Sequence, residues 1–196
     1  MAKILPDLAQ LQITVSKLQE IFNRKGYKWF DFHLVGIRKA DGKVNQWDDL
    51  LGYVWKGQLY FIRATTEPGL DFLRSPMNKA GTGILCEGQY VNAYQLGLHQ
   101  NRQDHPAFIQ VLPVRFFRDN DKDAVIDLDP KTITSGLVGC NIHRSNRNSD
   151  PQLVGPHSAM CQVGRNFQAF MKIHKAAQDS GQTRFTYTLL NELDFA

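Results

Sequence analysis

The sequence predicts a mainly β protein of one domain with helices at its periphery. Two observations carry this: short runs rich in β-branched and aromatic residues recur from Phe32 onward, separated by Gly, Asp or Asn, and helical periodicity is confined to two stretches. A third sets the scale, since 196 residues suit a single domain with a sizeable core.

In chain order, Leu8, Leu11, Val15, Leu18 and Phe22 recur at three- and four-residue steps before Gly26, which predicts an amphipathic helix with a glycine stop. Residues 1–30 therefore read as a helical segment and residues 31–196 as the main body. The runs "FHLVGIRK", "LLGYVW", "QLYFIRATT", "AFIQVLPVRFF" and "AVIDLD" read as strands, with hairpin turns at "ADGK" (Ala40 to Lys43) and "WKGQ" (Trp55 to Gln58). In "RNFQAFMKIHKAAQDSG", Phe167, Phe170, Ile173 and Ala177 share a helical face, and "RFTYTLLNEL" predicts a closing strand.

Composition narrows the function classes. The content of 42% hydrophobic and 21% charged residues is that of an ordinary globular chain. The net charge of +4 is dispersed, without a basic cluster or aromatic platform, so nucleic-acid binding is not expected. Membrane insertion is not expected either, because no apolar run approaches the roughly 20 residues a spanning helix needs. The N-terminus lacks the apolar core and cleavage site of a signal peptide, so the expectation is cytoplasmic synthesis, with any action on a cell wall following release or export by another route. Three cysteines argue against a disulfide framework and leave thiols for chemistry.

The chemistry concentrates in "GCNIHRSNRNSDPQLVGPHSAMC", Gly139 to Cys161. Cys140, His143, His157 and Cys161 have the types and pair spacings of a zinc site. Against this, Cys140 and His143 fall in a strand-like run where positions three apart face opposite sides. The alternative is a thiolate nucleophile: His143 at a strand end, then a polar loop returning at "HSAMC", brings an imidazole to Cys161. Backbone N–H groups around Cys161 then offer an oxyanion site. Elsewhere, Asp119, Asp121 and Asp123 have calcium-loop spacing, but Ala124 and Pro130 stand where that loop needs Gly and Glu. Cys86 reads as a small core residue, His99 and His105 by default as surface histidines without partners, with contact to substrate as the alternative, and Trp47, Trp55 and Tyr90 chiefly as packing residues.

His143, followed after fourteen residues by Ser158-Ala159-Met160-Cys161, resembles the signature of the L,D-transpeptidase (YkuD-like) family. "ATTEPG" (Ala64 to Gly69) and "GTGILCEGQY" (Gly81 to Tyr90) resemble its substrate-side segments, so the likeness runs from Phe32 to about Phe170. The resemblance implies a YkuD-like β-sandwich with a helix after the cysteine. It implies Cys161 as the nucleophile, His143 as its base and Ser158 as loop support, acting without a cofactor or metal on a peptidoglycan stem peptide, for example beside meso-diaminopimelate. Gly139, Asn141, Arg144, Met160 and His157 are the expected substrate and oxyanion positions, with the Gly139 to Asn141 segment orienting the imidazole. Three positions depart from the family pattern. Ala159 replaces the motif histidine, whose role would be lost or pass to His157. Met160 replaces a glycine, and Gln162 follows the cysteine. The expected activity is a peptidoglycan peptidase of endolysin type. A cross-linking transpeptidase and a non-catalytic wall-binding module are the alternatives.

Overall fold

The computed structural model describes residues 11–196. Helix α1 (Val15–Lys25) is capped by Thr14, whose hydroxyl accepts from the Lys17 N–H at 3.1 Å, and it ends on Gly26 at φ 70°. Leu11 lies just ahead of it, and Leu8 falls outside the described residues. The strands are β1 (Phe32–Arg38), β2 (Asp49–Trp55), β3 (Gln58–Thr65), β4 (Thr82–Leu85), β5 (Gly88–Leu98), β6 (Pro106–Gln110), β7 (Val114–Asp119), β8 (Thr134–Gly136), β9 (Ile142–Arg144), β10 (Gln162–Gly164) and β11 (Phe185–Asn191). A short α2 (Leu70–Arg74) follows β3, and α3 (Phe167–Asp179) lies between β10 and β11.

The fold is mainly β, as expected, but the main sheet does not form a two-layer sandwich. It closes on itself in the order β1-β11-β5-β6-β9-β10-β3-β2, with a separate three-stranded sheet β4-β7-β8. Closure follows from the last strand: β11 runs parallel to β1 on one side and antiparallel to β5 on the other, so neither of the outer strands of an open sheet is left unpaired.

Three local expectations change for physical reasons. "AFIQVLPVRFF" is two strands, because Pro113 lacks the N–H that would continue the ladder; β6 joins the barrel and β7 the small sheet. "AVIDLD" is an irregular loop in which aspartate side chains take the backbone donors: Asp121 from Asp123, Asp123 from Val125 and Asp119 from Asp127. "ADGK" belongs to a longer connection between β1 and β2, not a tight hairpin turn. "WKGQ" is a tight turn, with Lys56 and Gly57 at φ 49° and 71° joining β2 to β3.

The barrel encloses Leu34, Leu51, Phe108, Ile142, Phe185 and Tyr187, and α3 lays Phe170, Ile173 and Ala177 on the same core. On the outside, α1 packs Leu18, Ile21 and Phe22 against Val35, Ile37, Leu50 and Val54. Trp47 and Tyr90 are buried, and Cys86 is a buried free thiol. Among the described residues, no helix is long and apolar enough to cross a membrane.

Candidate active site

Two short neighbouring strands build the site. β9 and β10 run parallel, with His143 beside Val163 and Ile142 beside Gln162. Alternation sends Ile142 into the core and Gln162 to the hydroxyl of buried Tyr187, which donates to its Oε1 at 2.9 Å. His143 and Val163 therefore face the other way. Cys161 lies two residues before Val163 on the same side, where it packs with Trp47, Val154 and Val163. Cys140 turns into the barrel core, its thiol donating to the Met160 carbonyl at 3.4 Å. The two thiols of the motif thus occupy opposite faces, which separates Cys140 from any ligand set containing His143 and Cys161.

A third imidazole completes the constellation. One ring nitrogen of His99, one of His143 and the Cys161 sulfur all lie within 4.8 Å of one another. The His99 and His143 rings stack at 3.9 Å between centroids with 25° between planes. His99 stands at the end of β5, in the turn His99–Asn101, and nothing periodic in its polar loop marks it. The sequence marks it only as one of two histidines flanking the polar loop "HQNRQDH". It is His99, and not His157, that brings a second ring nitrogen to the thiol. His157 rests against Trp47, with centroids 6.2 Å apart, and lines the neighbouring cleft.

Hydrogen bonds fix the protons. The His143 Nδ1–H donates to the Arg144 carbonyl at 2.7 Å, which leaves the lone pair on Nε2. The imidazole is thus oriented by Arg144, its own neighbour, and not by Gly139 to Asn141. The Gln110 backbone N–H donates to Asn141 Oδ1 at 2.9 Å, so Asn141 must present its NH₂ group to His99 Nδ1, 3.2 Å away. His99 accordingly carries its proton on Nε2. The stacked rings hold opposite tautomers, one with a free lone pair and one with a free N–H. This disfavours the trio as a metal site: the His99 lone pair is engaged by Asn141, and near-parallel rings direct their lone pairs side by side instead of at a common point.

The thiol donates to the Gly139 carbonyl at 3.5 Å. Gly139 sits at φ 73°, where a side chain is strained, and this conformation carries its carbonyl to the sulfur. Burial pushes the Cys161 thiol up to about 11, and the backbone amide of Asn141 pulls against that rise. Burial first, then the neighbouring His99, holds His143 well below the ordinary imidazole range. The resting pair is a neutral thiol beside a neutral imidazole.

The loop that carries Cys161 is tied by its carbonyls. Ser158 Oγ donates to the Cys161 carbonyl at 2.8 Å, the Gly69 N–H to the Ser158 carbonyl at 2.8 Å, and Gln162 Nε2 to the Met160 carbonyl at 3.2 Å. Among the described residues, the backbone N–H groups of Met160 and Cys161 meet no acceptor. Met160 has a negative φ, so no glycine is needed there for the backbone. Its side chain lies on Gly83, where an added Cβ would meet its sulfur at 2.5 Å. Arg144 is buried, donating to the carbonyls of Ser145 and Asp104. No protein-family model matches the chain, and no curated protein matches it.

Proposed function

We propose that the chain is a cysteine-dependent hydrolase that cleaves an amide bond in peptidoglycan stem peptides through a thioester, its barrel serving as a divergent L,D-transpeptidase-like domain. One observation carries the chemistry: the Cys161 thiol lies within 4.8 Å of a ring nitrogen of His143, whose Nε2 lone pair is free, and the amides of Met160 and Cys161 in the same loop meet no acceptor among the described residues. The substrate class rests on the spacing from His143 to Ser158 and Cys161.

In the first step His143 Nε2 takes the thiol proton as sulfur bonds to the carbonyl carbon, and the amides of Met160 and Cys161 hold the oxyanion. Collapse breaks the C–N bond, and His143 returns the proton to the departing amine. Water, deprotonated by His143, then cleaves the thioester and restores the thiol. The thiolate forms at the moment of attack, since a thiol near 11 beside a depressed imidazole is not stored as an ion pair. A polar cleft on the imidazole side gives water a path to His143, which supports hydrolysis over transfer to an amine.

Mass spectrometry of muropeptides after incubation with purified sacculi tests this. The wild type is expected to release cleaved stem peptides and Cys161→Ala none. Equal products from both proteins would refute a thiol mechanism, and a new cross-link would identify a transpeptidase.

A further inference from the structure

The cleft on the imidazole side of Cys161 has a volume of about 350 Å³ and is lined by His99, Arg102, Asp104, His105, Arg144 and Arg147, among others. Its charges do not balance. Asp104, a half-exposed carboxylate, faces two guanidiniums, Arg102 at 3.5 Å and Arg144 at 3.6 Å. Arg147 rests over the Phe167 ring and pairs with no carboxylate among the described residues. Arg144 is only 4% exposed, and its Nε has no partner. A desolvated guanidinium sharing one partly solvated carboxylate is short of negative charge. Burial first, and after it the positive charge of Arg144 (for His99 also that of Arg102), opposes protonation of His99, His105 and His157.

We infer that this cleft binds a carboxylate of the substrate peptide and so fixes which acidic residue lies beside the scissile carbonyl. The inference rests on the thiol-hydrolase reading for the identity of the substrate. The cleft shares His99 and His143 with the thiol constellation, so a group held there belongs to a molecule that also reaches Cys161. Arg147 and Arg102 are exposed at the rim and supply the adjustable contacts, while buried Arg144 provides the fixed charge.

Cosedimentation of the Cys161→Ala protein with purified sacculi, untreated or with their carboxylates amidated, tests the inference without turnover. Amidation is expected to weaken binding about tenfold or more, consistent with losing one charge-assisted contact. Arg147→Gln should weaken binding to untreated sacculi to a similar degree and leave binding to amidated sacculi unchanged. Lys131→Gln, an exposed cation outside the cleft, should change neither. Equal binding to both sacculi, or equal effects of Arg147→Gln and Lys131→Gln, would overturn the carboxylate subsite. Competition by inorganic phosphate as strong as that by acetate and glutarate at equal ionic strength would also overturn it, marking a general anion site. The two readings fail separately. Wild-type protein that binds carboxylate-bearing sacculi but cuts nothing refutes the hydrolase and keeps the cleft, whereas cleavage indifferent to amidation refutes the cleft alone.

Discussion

Two hollows lie close to the Ser158–Cys161 segment, and one is strongly polar while the other is the more apolar. On the imidazole side lies the polar cleft with three arginines and four histidines; beside Met160 lies a cavity of about 310 Å³ walled by Phe72, Met77, Val138, Ala159 and Met160. The single arginine of the second hollow, Arg118, is occupied, donating to the Gly81 carbonyl at 2.7 Å and lying over Phe116. Charge on one side is unspent and on the other is satisfied. The two sides therefore differ in kind: the polar side carries charge without a matching partner, and the other side is mainly apolar with its one guanidinium already bonded.

The sharpest way to break this contrast is at the thiols. Cys161→Ala is expected to lower turnover of sacculi by about 1,000-fold or more, since it removes the proposed nucleophile. Cys140→Ala, on the core face, should lower thermal stability and leave a folded protein whose turnover of sacculi stays within about fivefold of the wild type. Loss of turnover in folded Cys140→Ala would show that the two faces are not separate. Next in size, His143→Ala should cost about 100- to 10,000-fold in kcat, the range for a general base. Asn141→Leu, which releases the His99 tautomer, should cost less, with the change in kcat and not in KM.

The pH dependence sharpens the description of the resting pair. Burial raises the Cys161 thiol to about 11 and lowers His143, so both stay neutral from pH 6 to 8. Iodoacetamide labelling of Cys161 should therefore climb about tenfold per pH unit from 7 to 10. A plateau near neutral pH would reveal a stored ion pair. For stability the sign runs the other way. His33 is lowered to about 3 and His105 to about 4, both first by burial, so the unfolded chain binds more protons below its ordinary imidazole value of 6.5. Their contribution is present above pH 6.5 and is lost as pH falls toward 3–4, so Tm should drop across that window. His33→Gln should flatten the drop. The smallest effect is expected at Met160→Ala, which enlarges the apolar hollow. It should cost about 2–5 kcal/mol in urea unfolding and change turnover less than any substitution above.

Much of the frame was legible. The amphipathic run ending at Gly26, the alternating segments of β1 to β3 and the "WKGQ" turn are local signals, decided by side chains a few residues apart. The strand breaks at Pro113 and in the aspartate-rich loop were legible in principle, since a missing N–H and competing side-chain acceptors are local too. Barrel closure was not. Pairing β11 with β1 joins residues such as Val35 and Thr188, and no local pattern reports a partner at that distance.

What the sequence by itself determined is the mainly β texture, the positions of α1 and α3, and the bringing together of His143 and Cys161 by a returning loop. Cys140 and His143 do face apart, but β9 begins only at Ile142 and Gly139 before it has φ 73°, so the packing of the loop and not strand alternation turns Cys140 into the core. Only the tertiary structure decided that the sheet closes, that Arg144 and not Gly139 to Asn141 orients the imidazole, and that His99 joins the thiol. The reason is physical. Alternation and turn chemistry act over a few residues, whereas His99 reaches Cys161 through a strand register, and its tautomer is set by Gln110 and Asn141 from two further segments.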